Sequence, residues 1–151
     1  MVGVTAQIAS ESGGSDGVGF AIPSDTVESI VSQLLASGQA EHAYLGVSLQ
    51  TIPASVAGEL NLVEGVEVAQ VKGGTPAAQA GLRAATGSAT VAGQSYPTGG
   101  DVITAVNGQK IMSAEQLQST VDARRPGDTI SLTYSRAGTS QTVQLKLATR
   151  P

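Results

Sequence analysis

Residues 43–49 read Ala43-Tyr44-Leu45-Gly46-Val47-Ser48-Leu49, a stretch that alternates like a β-strand but carries a glycine in its interior. Glycine inside a strand often marks a bulge or a close backbone approach, because it has no side chain and tolerates unusual dihedral angles. Two further glycine-bounded stretches follow, at residues 74–82 (GTPAAQAGL) and 100–108 (GDVITAVNG). The order of the three stretches along the chain is more informative about the fold than any one stretch alone.

In this order the three segments resemble a PDZ domain of the bacterial HtrA (high-temperature-requirement) serine proteases. The resemblance implies a domain that binds the free C-terminus of another chain by adding it as a strand to its own sheet edge. It also implies that convergent backbone N–H groups bind the peptide carboxylate, and that a strand and a helix form the groove. The carboxylate-binding residues would then be Tyr44, Leu45, Gly46 and Val47, and the groove residues Ser48, Leu49, Leu117, Thr120 and Val121.

A plainer interpretation of the same residues stays open. Residues 43–49 are compatible with an ordinary strand that contains a glycine bulge. Leu117, Thr120 and Val121 are equally compatible with a helix face that only fills the core. If these residues do line a groove, its lining is aliphatic, and we expect Val, Leu, Ile or Ala to be favoured as the last residue of a bound peptide.

The hydrophobic pattern predicts a mainly β fold with short helices. Proline and glycine mark most of the boundaries between the elements, and Asn107-Gly108 is a strong signal for a tight turn. The predicted strands are residues 2–9, 17–22, 45–51, 65–71, 101–106, 129–134 and 142–147, a small hairpin lies within 84–98, and the predicted helical segments are 24–38, 53–60, 75–80 and 113–124.

The N-terminal part carries a resemblance of its own. Residues 2–9 and 17–23 resemble the last hairpin of an HtrA protease barrel, and the helix that follows resembles the connector to the PDZ domain. We therefore expect three parts: residues 1–23, a remnant β-hairpin; residues 24–40, a connector helix and linker; and residues 41–151, a PDZ-like partly open β-barrel or sandwich. Because Met1 runs at once into strand-like sequence, we expect a piece of a longer protein.

Composition excludes several classes of partner. The net charge is −4 at pH 7 and no Lys/Arg cluster is present, which argues against nucleic acid as a partner. There is no cysteine, so neither disulfides nor thiolate metal sites can form. No apolar run approaches the ~20 residues that a membrane span needs. We expect neither a cofactor nor a metal.

Catalytic chemistry is poorly supported by the sequence. Ser12-Gly13-Gly14 resembles the end of a serine-protease nucleophile motif, but it follows Ser10-Glu11 and lies in the predicted turn between two strands. A serine triad also needs a histidine base and an orienting carboxylate, and His42 is the one histidine of the sequence. The glycines of residues 13–19 lack the Gly-Lys-Ser/Thr of a phosphate-binding loop. We therefore expect a non-catalytic chain.

The function implied by the resemblance is recognition of exposed hydrophobic C-termini, as a substrate-tethering or regulatory part of an HtrA-type protease. The parent protein would be extracytoplasmic, and its protease domain would be a further partner. The alternative is structural: the N-terminal hairpin has lost its barrel, and its strand edges are free to pair with the PDZ sheet or with a second copy of the chain. In that case the chain is chiefly an assembly unit.

Overall fold

The computed structural model describes residues 3–8, 19–38 and 41–151. They fall into two units, Met1–Glu41 and His42–Pro151. The predicted Ser12-Gly13-Gly14 turn lies outside the described residues. In chain order the elements are β1 (Gly3–Ile8), β2 (Gly19–Pro23), α1 (Ser24–Ser37), β3 (Ala43–Tyr44), β4 (Val47–Ile52), α2 (Ala54–Leu60), β5 (Gly65–Val71), α3 (Pro76–Gln79), β6 (Gly87–Val91), β7 (Gln94–Thr98), β8 (Val102–Val106), β9 (Gln109–Lys110), α4 (Ala114–Asp122), β10 (Thr129–Arg136), β11 (Thr139–Lys146) and β12 (Ala148–Thr149).

The first unit consists of an antiparallel hairpin and a helix. β1 pairs with β2 from Gly3 opposite Pro23 to Ile8 opposite Gly19, with one irregularity in register. Helix α1 follows directly and ends at Ser37, and the N–H of the next residue, Gly38, donates to the carbonyl of Leu34 at 2.9 Å. Val31, Leu34 and Leu35 of α1 are exposed, Leu35 most of all.

The second unit is built on one open antiparallel sheet with the strand order β11-β10-β8-β5-β4, to which β9 adds beside β8. β5 is a central strand, and its residues Val66, Glu67 and Val68 are buried. β10 alternates toward the core through Ile130, Leu132 and Tyr134. Strand β4 lies at one end of this order, so one of its edges has no partner within the sheet. The expected mainly β fold with short helices is confirmed, and the sheet is open rather than closed into a barrel.

Helix α4 and the two-residue strands complete the main core. Leu117 and Val121 of α4 are buried against the sheet, and β3 pairs with β12, which brings residues 43–44 beside residues 148–149. Their antiparallel pairing was not predicted. The predicted strand 45–51 begins later than expected: Leu45 and Gly46 form a loop after β3, and β4 runs from Val47 to Ile52.

A second, smaller core contains the hairpin β6–β7. Val91 and Tyr96 of the hairpin are buried with Ile52, Val56 and Ala57, the last two from α2. The predicted hairpin within residues 84–98 therefore packs against α2 and buries part of its apolar surface.

The last hairpin is longer than predicted. The sequence indicated strands 129–134 and 142–147 joined by residues 136–139, whereas β10 and β11 pair without interruption up to Arg136 opposite Thr139. The turn contains two residues, Ala137 and Gly138, both with positive φ (49° and 79°). Such a turn has the twist of the flanking strands and lets their ladder continue to its end, which is why the strands extend further than the alternation indicated.

Candidate functional site

The loop Leu45-Gly46 leaves two backbone donors free beside the sheet edge. The carbonyl of Leu45 accepts a hydrogen bond from the N–H of Ala77 at 3.0 Å, and that of Gly46 accepts one from Lys72 at 2.9 Å. Within the part of the chain that the structure describes, the N–H groups of Leu45 and Gly46 have no protein acceptor. Since the two carbonyls are held by neighbouring segments, the loop presents unpaired donors, an arrangement that can bind an anion without a side-chain charge.

Glycine is required at position 46 for two reasons. Its φ is +86°, a conformation that residues with a side chain rarely adopt, and a Cβ there would overlap the side chain of Thr75. Thr75 is itself buried, and its hydroxyl donates to the carbonyl of Lys72 at 2.6 Å. The sequence indicated a special backbone at Gly46, but not that Thr75 is the neighbour that fixes it.

The groove lies between the edge strand β4 and helix α4. The N–H of Ala114, at the start of the helix, donates to Thr51 Oγ1 at 2.9 Å and ties the helix to the far end of β4. Ser113 caps the same helix by accepting from the N–H of Gln116 at 3.2 Å. The groove is therefore bounded by the Leu45-Gly46 loop at one end and by the Thr51–Ala114 contact at the other.

The end of the groove next to the loop holds a small cavity of about 40 Å³. Five branched aliphatic side chains surround it, together with one alanine, one tyrosine, one amide and one guanidinium side chain and the backbone of the loop. It is lined by Ala43, Tyr44, Leu45, Gly46, Val47, Leu49, Leu117, Gln118, Val121 and Arg150.

The groove continues into a more open cavity of about 420 Å³, lined by Val47, Leu49, Ala114, Glu115, Gln118 and Ser119. Glu115 supplies a negative charge to this part. Hydrogen bonds from its own backbone N–H and from the Ser113 hydroxyl lower the pKa of its carboxyl below the ordinary value. The groove thus has an apolar floor, with a cation at the loop end and an anion further along the helix.

The structure brings most of the predicted site residues together. Tyr44, Leu45, Gly46 and Val47 line the cavity at the loop, and so do Leu49, Leu117 and Val121. It does not bring the other two there. Ser48 is exposed and lines a separate depression with Gln70 and Lys72, because successive side chains of a strand point to opposite faces. The hydroxyl of Thr120 donates to the carbonyl of Gln116 at 2.7 Å, and Thr120 lines neither groove cavity.

Several lining residues were not predicted. Glu115, Gln118 and Ser119 lie three and four positions apart in α4, so they share one face of the helix. Their place in the groove could therefore have been predicted from the helical spacing. Arg150 carries no signal in the sequence, because it reaches the groove only through the pairing of β12 with β3.

A third cavity, of about 330 Å³, contains Asp101 and Arg136 in its lining and shares no residue with the groove cavities. The Asp101 side chain is fully buried and Arg136 forms a two-point ion pair with it. Nearby, Glu67 is also fully buried: its Oε1 accepts from the N–H of Gly100 at 2.9 Å, while Oε2 has no partner among the described residues. Burial raises the pKa of the Glu67 carboxyl above its ordinary value of 4.5, the Gly100 N–H partly offsets this, and Asp101 raises it further.

Residues 3–8, 19–38 and 41–151 contain neither a metal-ligand cluster nor a membrane-spanning helix. No group of three or more His, Asp or Glu side chains there is arranged to hold a metal ion. The helices of the same residues include none that is long and apolar enough to cross a membrane.

Comparison with known proteins gives similarities that extend over the whole chain. A "Probable periplasmic serine endoprotease DegP-like" of Rhizobium meliloti (strain 1021) is 34% identical over 153 residues, covering 100% of this chain and 27% of the relative. A "Probable periplasmic serine protease do/HhoA-like" of Haemophilus influenzae is 36% identical over 149 residues, covering 97% of this chain and 29% of the relative. The chain thus spans little more than a quarter of the length of these curated relatives.

Solved structures give the same result. The HtrA-type protease AlgW with a decapeptide matches with a TM-score of 0.71 and 29% identity, covering 100% of this chain and 42% of that one. AlgW with a tripeptide matches with a TM-score of 0.70 and 30% identity, covering 100% and 46%. The family model for the PDZ domain matches residues 43–147, the segment that contains the groove, the edge strand and the loop. The chain therefore belongs to the PDZ-domain family.

Proposed function

We propose that residues 41–151 bind the free C-terminus of another polypeptide by strand addition. One observation carries this proposal: β4 is the edge of the sheet, and the unpaired N–H groups of Leu45 and Gly46 lie at its beginning. An unpaired edge accepts an extended peptide through main-chain hydrogen bonds. The loop donors stop that peptide at its carboxylate, so the site selects a chain end rather than an internal segment.

The geometry supports one orientation for the peptide. It lies antiparallel to Val47–Thr51, with its carboxylate at the Leu45-Gly46 loop and its last side chain in the cavity of about 40 Å³. The lining by Leu45, Val47, Leu117 and Val121 favours Val, Leu, Ile or Ala at that position. Because the cavity is small, we expect a terminal Phe or Trp to bind less tightly than a smaller aliphatic residue.

The expected affinity is modest because a short peptide must be ordered on binding. We expect a dissociation constant in the micromolar range, or about −8 kcal/mol. Replacing the terminal carboxylate with an amide removes the anion and should weaken binding by about 1–3 kcal/mol, since hydrogen bonds to charged groups are the stronger kind.

The whole protein is proposed to be an HtrA-type serine protease of the periplasm, in line with the names of its relatives. In that protein the PDZ domain would tether substrates to the protease domain or regulate it. Residues 1–23 are proposed to be the last hairpin of that protease barrel, and residues 24–40 its connector helix and linker. This chain itself is proposed to be non-catalytic, because its sequence holds a single histidine and no complete nucleophile motif.

An amide-shift titration tests the binding function. Labelled full-length chain is titrated with an octapeptide that ends in Leu-Ala-Val, once with a free carboxylate and once with a terminal amide. We expect shifts concentrated in residues 44–51 and 113–122 and a clear preference for the free carboxylate. Equal affinity for both peptides, or shifts that map to other residues, would contradict the proposed site.

A second candidate function, assembly, is favoured by the exposed apolar face of α1. Leu35 is 84% exposed, and Val31 and Leu34 are each nearly half exposed. A second copy of the chain would bury this face, because association removes apolar surface from water. Light scattering over a range of concentrations tests this. Leu35→Glu should abolish association if α1 mediates it, whereas Val63→Glu, which changes an exposed residue of the other unit, should not. A mass that stays monomeric at all concentrations would rule assembly out.

A further inference from the structure

The loop end of the groove contains a cation that sequence reasoning did not find. Arg150 follows β12, and its backbone N–H donates to the carbonyl of His42 at 2.9 Å. This bond places its side chain in the lining of the small cavity, beside Leu45 and Gly46. Among the described residues that line the two groove cavities, Arg150 is the basic one.

The present partner of this cation is a weak one. Arg150 Nη2 lies 3.8 Å from Asp122 Oδ1, and the two side chains are 49% and 44% exposed. An ion pair at this distance and exposure contributes little to stability, at most about 1 kcal/mol. Asp122 Oδ1 is also occupied from the other side, since it accepts a hydrogen bond from Gln118 Nε2 at 2.9 Å. The guanidinium can therefore leave Asp122 at small cost.

We propose that Arg150 supplies the counter-charge for the terminal carboxylate of the bound peptide, and that Asp122 is the partner it exchanges for that carboxylate. This inference rests on the proposed peptide-binding function and deepens it. The loop N–H groups position the carboxylate, while Arg150 makes the site selective for its charge. A guanidinium suits this task because its planar array of donors matches a carboxylate.

The arrangement also assigns a role to Asp122. It holds both Gln118 and Arg150 at the rim of the cavity in the unbound state. It is a positioning residue that competes with the ligand for the same cation. A carboxylate near an anion-binding site also repels the ligand, so neutralising Asp122 should strengthen binding.

The test uses the full chain and two acetylated octapeptides that end in Leu-Ala-Val, one with a free carboxylate and one amidated. For the free peptide, Arg150→Gln should weaken binding by about two- to fivefold, the range expected for one exchangeable ion pair. For the amidated peptide the same variant should change nothing. Arg150→Lys should restore part of the loss. Arg83→Gln is the matched control: it removes the same charge from a side chain that lines the separate third cavity.

Each outcome decides between the two proposals. If the wild-type chain binds neither peptide, or binds both equally, the peptide-binding function fails and this inference fails with it. If the wild type prefers the free carboxylate and Arg150→Gln keeps that preference at full strength, the inference alone is wrong. A loss that is equal for Arg150→Gln and Arg83→Gln would show a general charge effect and would also overturn it.

Asp122→Asn provides the converse test and retains the acceptor for Gln118. We expect it to bind the free peptide about two- to threefold more tightly, with no change for the amidated one. Weaker or unchanged binding of the free peptide would show that Asp122 does not compete for Arg150. Wild-type affinity for the free peptide should also fall more steeply with salt than that of Arg150→Gln, because salt screens the exposed charge pair.

Discussion

Arg136 forms a bidentate ion pair with Asp101: Nε lies 2.7 Å from Oδ1, and Nη2 lies 2.7 Å from Oδ2. The same Nη2 also donates to the carbonyl of Gly81 at 2.7 Å, and the N–H of Arg83 donates to Asp101 Oδ2 at 2.8 Å. The pair therefore fastens the end of β10 to the segments before β8 and after α3. Asp101 is fully buried whereas Arg136 is partly exposed. The Asp101 carboxylate therefore needs Arg136 as its counter-charge, whereas water can still solvate part of the guanidinium.

Arg136→Gln should be strongly destabilising. It leaves a buried carboxylate without its counter-charge, a change that typically costs about 3–5 kcal/mol of unfolding free energy. Urea unfolding measures the loss, and Arg125→Gln, at an exposed position, is the control. A cost below about 1 kcal/mol would show that Asp101 does not need the arginine. Peptide affinity of the folded fraction should be unchanged, because the pair lies outside the groove.

Glu67 should make the domain less stable as pH rises. Since burial raises its pKa in the folded state, the folded chain holds this proton more tightly than the unfolded chain. The penalty is absent below the unfolded-state pKa, grows as pH rises through the window up to the raised folded-state pKa, and is complete above it. Glu67→Gln keeps an acceptor for the Gly100 N–H and removes the titration. We expect its unfolding free energy to exceed that of the wild type at neutral pH and to show a smaller decline from acid to neutral pH. Parallel pH profiles for the two proteins would contradict this.

Gly46→Ala and Gly58→Ala should have opposite effects on stability. At Gly46 the positive φ and the overlap with Thr75 should cost about 1–3 kcal/mol, and the displaced loop should bind the free-carboxylate peptide less tightly. At Gly58, inside α2, nothing lies within 4 Å of a new Cβ, and alanine should stabilise the helix by up to about 1 kcal/mol. Thermal unfolding and the peptide titration measure both effects. Unchanged stability and affinity in Gly46→Ala would refute the special role of this glycine.

Val121→Ala should change the preference for the last residue of the peptide. Val121 is buried against the small cavity, and its truncation enlarges that cavity at a cost of about 2 kcal/mol in stability. We expect the ratio of affinities for terminal Leu over terminal Ala to rise about fivefold, close to the worth of one or two buried methylene groups. Calorimetry with the two peptides measures this ratio. An unchanged ratio would place the terminal side chain elsewhere.

Glu115 should favour peptides with a basic residue upstream of the terminus. It is exposed in the open part of the groove and ionised at neutral pH, and its lowered pKa extends the ionised range further toward acid. A lysine placed a few residues before the terminus should bind about two- to fivefold better than a glutamine, as for exposed ion pairs. Glu115→Gln should remove this advantage, whereas Glu59→Gln on α2 should retain it. An advantage that survives in Glu115→Gln would assign it to another residue.

Much of the fold could be predicted because its signals are local. β5 (Gly65–Val71) occupies the predicted residues, and Asn107-Gly108 forms the predicted turn with positive φ at both positions. The pairing of β3 with β12 could not be predicted, since two residues carry no periodicity and their partners lie about a hundred positions away in the sequence. Arg150 was missed for that reason.

Burial was also harder to predict than secondary structure. Glu67 stands between two valines and reads as the solvent side of a strand, yet β5 is central and buried on both faces. Leu117 and Val121 were predicted on the groove side of the helix, with the core as the alternative. They serve both purposes, because α4 packs on the sheet with the face that also closes the small cavity.

The pairing of β3 with β12 has a mechanical consequence. His42 and Arg150 lie near the two ends of the second unit, and they are hydrogen-bonded neighbours. Forces that pull these two residues apart act on the end of a two-residue antiparallel ladder and break its hydrogen bonds one after another. β3 runs directly into the Leu45-Gly46 loop, so this tension would distort the unpaired N–H donors of that loop first. If those donors hold a peptide carboxylate as proposed, tension on the domain would release the peptide while the long strands β10 and β11 stay intact.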